Sequence, residues 1–571
     1  MSRLQARRLR QLRAVAVIVF CGFFAKLFLM QVVQGSEVAA QVIKASTVTS
    51  VLAAPRGEIQ DVNGLPLAVT SDSYNITADQ TLIKNPQATA QVLAPVLGAD
   101  ITALAQHLTG TRRFTYIAKD VSPQDLKRVE ALNLAGIFSE PSTRRVYPQG
   151  ELAANVIGFV NAQGSGAGGI ESTFNSELAG KPGSVEYVQA GGQRLIPTGD
   201  QTIVDPVPGT TIRLTIDRDV QWVAQRAIAD RVAYAKAASG TVIVLDTTNG
   251  HIVAMATAPT FNPNFIRNAD VANLGNRAVS DAYEPGSTAK VMTMSALIEE
   301  GLAKPTDRFT VPGALRWKHI QTFHDDFPHG VEKLTLTGIL AISSNIGTIK
   351  AAMRMPESTY FSYLQRFGIG TSTGSGLAGE GSGILPPMSA WSGTTYPTMV
   401  FGQGLSVTAL QVSSVFATIA NDGVRIAPTI VAGTVDPLGR FTPSAPGKSV
   451  RVLSATTAQT VRAMMETVVS NEGTAPGAAI PGYSVAGKTG TAQRYDSTCN
   501  CYRGYVSSFI GIAPADHPRF VVAVALTDPH NGHFGSVLGG PVFKEVMTYV
   551  LQKARIAPSG SVAPKLPTTW K

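Results

Sequence analysis

The chain has 571 residues, of which 44% are hydrophobic and 15% charged, and a formal net charge of +9. That length exceeds one ordinary core, so two or more domains are expected beside any anchor, and a composition with 54 glycines, 34 prolines and no low-complexity tract excludes a largely disordered chain. The positive charge does not indicate nucleic-acid binding, because Arg3, Arg7, Arg8, Arg10 and Arg13 account for much of it and no basic run elsewhere is interleaved with aromatics.

The arginines precede AVAVIVFCGFFAKLFLMQVV at residues 14–33, a stretch with the roughly 20 apolar residues that a bilayer span requires. Residues 1–13 are read as a cytoplasmic tail and 14–34 as a transmembrane helix, and Glu37 after the span places everything downstream outside the membrane. A cleaved secretion signal is the competing reading, but the apolar stretch is long for one and no A-x-A site follows. Lys26, inside the span, has to snorkel or meet a partner helix.

Residues 35–205 mix strand-like STVTSVLA and SVEYVQA with helix-like ITALAQHL, broken at short intervals by glycine and proline, and read as an irregular α+β pedestal. DPVPGTTI, residues 205–212, marks a boundary. The segment 206–556 opens with helical periodicity in DRDVQWVAQRAIADRVAYA, then a hairpin of SGTVIVLD and HIVAMATAP around TTNG. Residues 557–571, rich in Pro, Ser and Thr, are expected to be disordered. Cys499 and Cys501 are too few for a disulfide framework and lack further ligands for zinc; a bond between them closes so tight a ring that a plain loop is the preferred reading.

The chemistry begins at YEPGSTAKVMT. A Pro-Gly turn runs into Ser287, which is expected to open a helix ended by Gly301, and three residues return the chain to the same face, so Lys290 lies beside Ser287. A lysine helps a serine attack a carbonyl only when its amine is neutral, and burial or a second cation lowers its pKa toward that state. Taken alone, S-x-x-K is common and fits a capping serine with a surface lysine. Two further segments change that. AISSNIG carries Ser343 and Asn345 in a turn after a helix, and VAGKTGTAQ carries Lys488, Thr489, Gly490 and Thr491 in a late strand. The eight histidines form no triad, and FHDDFPHG, which has His324, Asp325, Asp326 and His329, is read as a solvated loop near the site entrance because no third metal ligand is spaced for it.

Serine-x-x-lysine, then serine-x-asparagine, then lysine-threonine-glycine resembles the penicillin-binding proteins and serine β-lactamases. EPGSTAK, SSNIG, FGQGLSVTALQ and GKTGTAQ, together with RGEIQDVNG, RVYPQG and GGIESTFNSELAGKPG in the pedestal, are similar to the class B, transpeptidase-only members; Val62 departs from them, standing where relatives usually carry arginine. The resemblance implies an α+β fold whose β-lactamase-like transpeptidase domain is an antiparallel sheet flanked by helices. It implies that Ser287 attacks the penultimate D-Ala carbonyl of a stem peptide, with Lys290 as base and Ser343 and Asn345 completing a proton relay. Lys488 then supplies a second cation, Thr489 and Thr491 hold the substrate carboxylate, Gly490 clears the strand for a peptide, and the N–H groups of Ser287 and Thr491 form the oxyanion hole. No cofactor or metal is implied.

Other functions share part of this set. A β-lactamase needs a group to activate water and has no use for an anchor and long pedestal; a D,D-carboxypeptidase is chemically possible; a penicillin-binding sensor calls for a signalling domain or several spans. The moderate length and the wording of EPGSTAK and RGEIQDVNG lean toward septal rather than side-wall synthesis. The pedestal has no room for a glycosyltransferase, so glycan polymerisation falls to a membrane partner alongside other division proteins.

Overall fold

The computed structural model describes residues 3–33, 47–190, 194–195, 202–496, 498–561 and 563–571; Gln34 at the end of the expected span and Glu37 lie outside them. Two compact units emerge, Met1–Pro55 with Gly180–Gly209, and Arg56–Ala179 with Thr210–Lys571. In the first, one helix, Arg3–Phe28, continues into a wider turn at Leu29–Val33, and the apolar stretch from Arg7 to Val32 buries nothing, as an anchor's surface should. The strand Thr47–Leu52 pairs antiparallel with Gly183–Ala190, which also pairs with Arg194–Leu195 and Thr202–Val204.

The second unit contains a seven-stranded sheet that joins residues from both sides of the composition break at 205–212. Thr211–Leu214 lies parallel to Ile59–Gln60 and antiparallel to Val431–Val435. Three separate motifs of the pedestal converge beside it on one fully buried carboxylate. Glu171 of GGIEST accepts from Arg56 Nε of RGEI and Arg145 Nε of RVYPQG, each at 2.7 Å, and from Tyr147 Oη at 3.3 Å. Arg56 also reaches Asn175 Oδ1 and the Glu171 carbonyl, and Arg145 the Gly57 carbonyl, so most of the buried donors are occupied.

The rest of the unit is built on a five-stranded antiparallel sheet. Helix α1, Arg218–Ala235, precedes strands β1, Ser239–Asp246, and β2, Ile252–Ala258; β3, Ala486–Asp496, β4, Cys501–Ala513, and β5, Phe520–Thr527, complete the order β2-β1-β5-β4-β3. Side chains alternate across it. Val242, Val244, Val522 and Val524 pack with α1 and the final helix, Gly535–Lys553, while Ile243, Leu245, Val521 and Ala523 face the larger core on the other side. At the centre of that core is α2, Lys290–Glu299, whose residues 290–297 are all buried, which is why its sequence shows no polar face.

Two expectations are corrected here. The C-terminal tail does not dangle: Thr335 N donates to Thr568 O at 3.0 Å and Trp570 N to Lys333 O at 3.2 Å, while Arg308 and Lys333 lie over the Trp570 ring. A polar composition disfavours a core of its own, yet a short edge strand with unpaired backbone groups and two cations for one indole suffices to seat it. The Cys499–Cys501 pair is a disulfide: a Cα–Cα distance of 5.2 Å at the β3–β4 turn lies within the ordinary span of such a bond.

Candidate active site

Ser287 lies in a 3-10 turn, Gly286–Ala289, that runs straight into α2 at Lys290, so the α-helix begins three residues later than the motif suggests. The alignment survives because three residues per turn eclipse positions i and i+3. Ser287 is nearly buried and opens on a cavity of about 480 Å³ whose walls include Ser343, Thr489, Thr491, Asp325 and Phe534.

The S-x-N segment arrives from α3, Leu336–Ala341, and leaves in α4, Asn345–Ala352. Between them Ser343 has φ +65°, a left-handed conformation that a non-glycine residue adopts at a cost of about 1 kcal/mol or more. That backbone turn directs the Ser343 carbonyl onto Lys290. Lys290 Nζ donates to it, to Ser343 Oγ at 3.2 Å and to Asn345 Oδ1 at 2.7 Å. From the opposite side Lys488 Nζ of β3 donates to the same Ser343 Oγ at 2.9 Å and to the carbonyl and hydroxyl of Thr489. The structure therefore brings Ser287, Lys290, Ser343, Asn345, Lys488, Thr489 and Thr491 together from three segments.

Both lysines are fully buried. Burial pushes Lys290 down to about 8 against the opposing charges of Asp326 and Asp325. Burial, followed by the charge of Lys290, holds Lys488 well below the ordinary lysine range, with Asp326 opposing. Two ammonium groups on one hydroxyl are disfavoured, so the pair holds one proton more readily than two.

Gly490 packs against the turn that carries Ser287. Thr489 and Thr491 face the cavity, and the position between them points the other way: a Cβ there would meet Ser508 Oγ at 2.3 Å, Thr288 Cγ2 at 3.0 Å and Pro285 O at 3.1 Å. Glycine here lets β3 press against the Ser287 turn. FHDDFPHG is more than a solvated loop. Asp325 Oδ1 accepts from the backbone N–H groups of Asn345 and Ile346, and its Oδ2 accepts from Ser344 Oγ at 2.6 Å and contacts His329 Nε2 at 3.0 Å. It caps α4 and fixes the turn that carries Ser343 and Asn345. No spacing signalled this, because the loop and α4 are joined only through the fold.

Comparisons with known proteins agree with this geometry. Residues 240–548 match the penicillin binding protein transpeptidase domain, and residues 51–214 match the penicillin-binding protein dimerisation domain. The penicillin-binding protein PbpB of Mycolicibacterium smegmatis is 35% identical, over 98% of this chain and 92% of that protein. The chain belongs to the penicillin-binding protein transpeptidases. The peptidoglycan D,D-transpeptidase FtsI of Escherichia coli is 33% identical over 88% of this chain and 84% of its own. Penicillin-binding protein 3 of Mycobacterium tuberculosis, solved with aztreonam, superposes with a TM-score of 0.72 at 32% identity, covering 91% of this chain and all of that one. This penicillin-binding protein is accordingly a class B, serine-type peptidoglycan D,D-transpeptidase with a dimerisation domain and one N-terminal apolar helix.

Proposed function

We propose that Ser287 is the serine acylated by the D-Ala-D-Ala stem peptide and by β-lactams, and that the enzyme cross-links peptidoglycan at the septum. The observation that carries the site assignment is the Ser343 hydroxyl held between Lys290 and Lys488 in the wall of the cavity that Ser287 enters. Ser287 Oγ bonds to the penultimate D-Ala carbonyl carbon while its proton passes to a neutral Lys290. The proton then moves through Ser343 to the nitrogen of the departing D-Ala as the peptide bond breaks. An acceptor amine attacks the ester by the reverse path and frees Ser287. The substrate carboxylate docks at Lys488, Thr489 and Thr491; its charge favours protonated Lys488, which in turn disfavours a proton on Lys290. The backbone N–H groups of Ser287 and Thr491 stabilise the oxyanion.

The septal role is supported by the likeness to division-type relatives and by an N-terminal apolar helix preceded by arginines, which favours a cytoplasmic N-terminus and an extracytoplasmic catalytic domain. A membrane-embedded glycan polymerase and other division proteins are the partners this role requires. Mass spectrometry after treatment with labelled penicillin tests the site: the label is expected on the peptide containing Ser287, and a label on Ser343, or none on folded protein, contradicts the assignment. Depletion in the native cell is expected to block septation, whereas loss of cell shape with normal septa contradicts the septal role.

A further inference from the structure

Glu284, three residues before Ser287, has no part in that chemistry and does not line the cavity, yet it is where three pieces of the site meet. Its Oε1 accepts from Gly404 N and from Tyr502 Oη, each at 3.0 Å, across 120 and 218 residues of chain. Its Oε2 is buried and has no hydrogen-bond partner among the described residues. Leaving a carboxylate oxygen buried and unpaired is costly, so the carboxylate is held there by what Oε1 and the backbone around it achieve.

The backbone around it is strapped to the FGQGLSVT segment on both sides of Glu284. Ala282 and Tyr283 pair with Thr408 and Val407, and Gly286 N donates to Gly402 O at 3.0 Å. Gly402 has φ +92°, and a Cβ on it would lie 2.0 Å from the Gly286 carbonyl, so the two segments approach as closely as backbones can. This fixes the Ser287 turn on one side only. On the other side is the β3–β4 hairpin. It touches the turn through packing at Gly490 and Ala492, and through one hydrogen bond from Tyr502 to Glu284. Tyr502 lies on β4 opposite Tyr495 of β3, the strand that carries Lys488, Thr489 and Thr491. Packing sets how near the hairpin lies; a hydrogen bond with a defined direction sets its register along the turn.

We propose that Glu284 is a positioning residue that locks the Ser287 turn to the β3–β4 hairpin, so that the serine and the lysine-threonine-glycine strand keep a single spacing. The proposal rests on Ser287 being the acylated serine. A fixed spacing matters most to the bond-forming step, where a shift near 1 Å costs on the order of 100-fold, and much less to initial docking.

The test separates these steps. For the full-length chain in detergent, β-lactam acylation is followed over a range of drug concentrations to give a dissociation constant for the non-covalent complex and a first-order acylation rate. Glu284→Ala is expected to lower the acylation rate about 10- to 100-fold with the dissociation constant within about 3-fold of the parent's. Glu284→Gln keeps an oxygen that accepts both bonds and is expected to recover most of the rate. Tyr502→Phe, at a half-exposed ring, is expected to lose about 3- to 10-fold. A parental acylation rate in folded Glu284→Ala, a change confined to the dissociation constant, or a Gln variant no better than Ala overturns the proposal. If Glu284→Ala does not fold, Tyr502→Phe decides, and a parental rate there overturns it. A parent labelled at a serine other than Ser287 overturns both this proposal and the site assignment. A parent labelled at Ser287 with unaffected variants overturns this one alone.

Discussion

Among the described residues, the buried charges around Glu171 and those around Ser343 are built on opposite plans. In the pedestal, Glu171 is held by Arg56 and Arg145 at 2.7 Å each, with further acceptors for both guanidinium groups. Behind the cavity wall, Lys290 and Lys488 share the hydroxyl of Ser343, and the nearby carboxylates of Asp325 and Asp326 make no ion pair with either among the described residues. The first cluster uses arginine, which stays charged, and surrounds opposite charge with matching donors. The second uses lysine, whose proton can leave, and withholds full compensation. Compensated burial fixes three chain segments in place; uncompensated burial keeps an amine near the point of losing its proton.

The comparison is broken most severely by Lys290→Met. On the proposed mechanism this removes the base and lowers β-lactam acylation by about 10²- to 10⁴-fold, while the melting temperature stays at or above the parent's, because a costly buried amine has gone. Calorimetry beside an acylation assay checks both halves. Glu171→Gln has the reverse signature. It leaves two buried guanidinium groups facing a neutral amide, so chemical denaturation should show a loss of about 3–5 kcal/mol with the acylation rate of the surviving folded protein nearly parental.

Smaller effects sharpen the contrast. Asp325→Asn replaces an oxygen of the group that caps α4 and orients Ser343 and Asn345. It is expected to slow acylation roughly tenfold, equal to about 1.4 kcal/mol, with the drug's non-covalent affinity little changed. The pH profile follows from the shared proton. At low pH both lysines are charged and Lys290 cannot accept; the first proton lost creates the active form. Burial leaves the last proton of the free pair on Lys290, and a docking carboxylate draws it to Lys488; with Lys290 pushed to about 8, that proton is lost near that pH and neither lysine then attracts a carboxylate. The second-order acylation rate is therefore expected to be bell-shaped, with its alkaline limb near pH 8.

The clustering of the proposed catalytic residues was legible because their spacing follows local geometry. One helical turn joins Ser287 to Lys290, a turn after a helix carries Ser343 and Asn345, and strand alternation presents Thr489 and Thr491 on one face. The same alternation, applied to Gly490, would have turned it inward. The N-terminal apolar helix was legible from composition alone. What stayed hidden is long-range. Asp325 meets Ser344 and Asn345 only because a loop folds over α4, and Tyr502 finds Glu284 across 218 residues. Arg56, Arg145 and Glu171 were recognised as parts of motifs, but nothing local announces that they form one cluster. Trp570 is ordered by cations from two strands that its own sequence does not contain.

The central claim is that the two lysines differ in kind, one working without its proton and the other with it. The direct measurement is the second-order rate of β-lactam acylation for Lys290→Arg and Lys488→Arg, with circular dichroism to confirm that both are folded. Arginine stays protonated at any accessible pH, so Lys290→Arg is expected to lose acylation altogether, while Lys488→Arg keeps a measurable fraction, reduced by altered geometry. If Lys290→Arg acylates as fast as the parent, the neutral-amine account is wrong and another group takes the proton from Ser287.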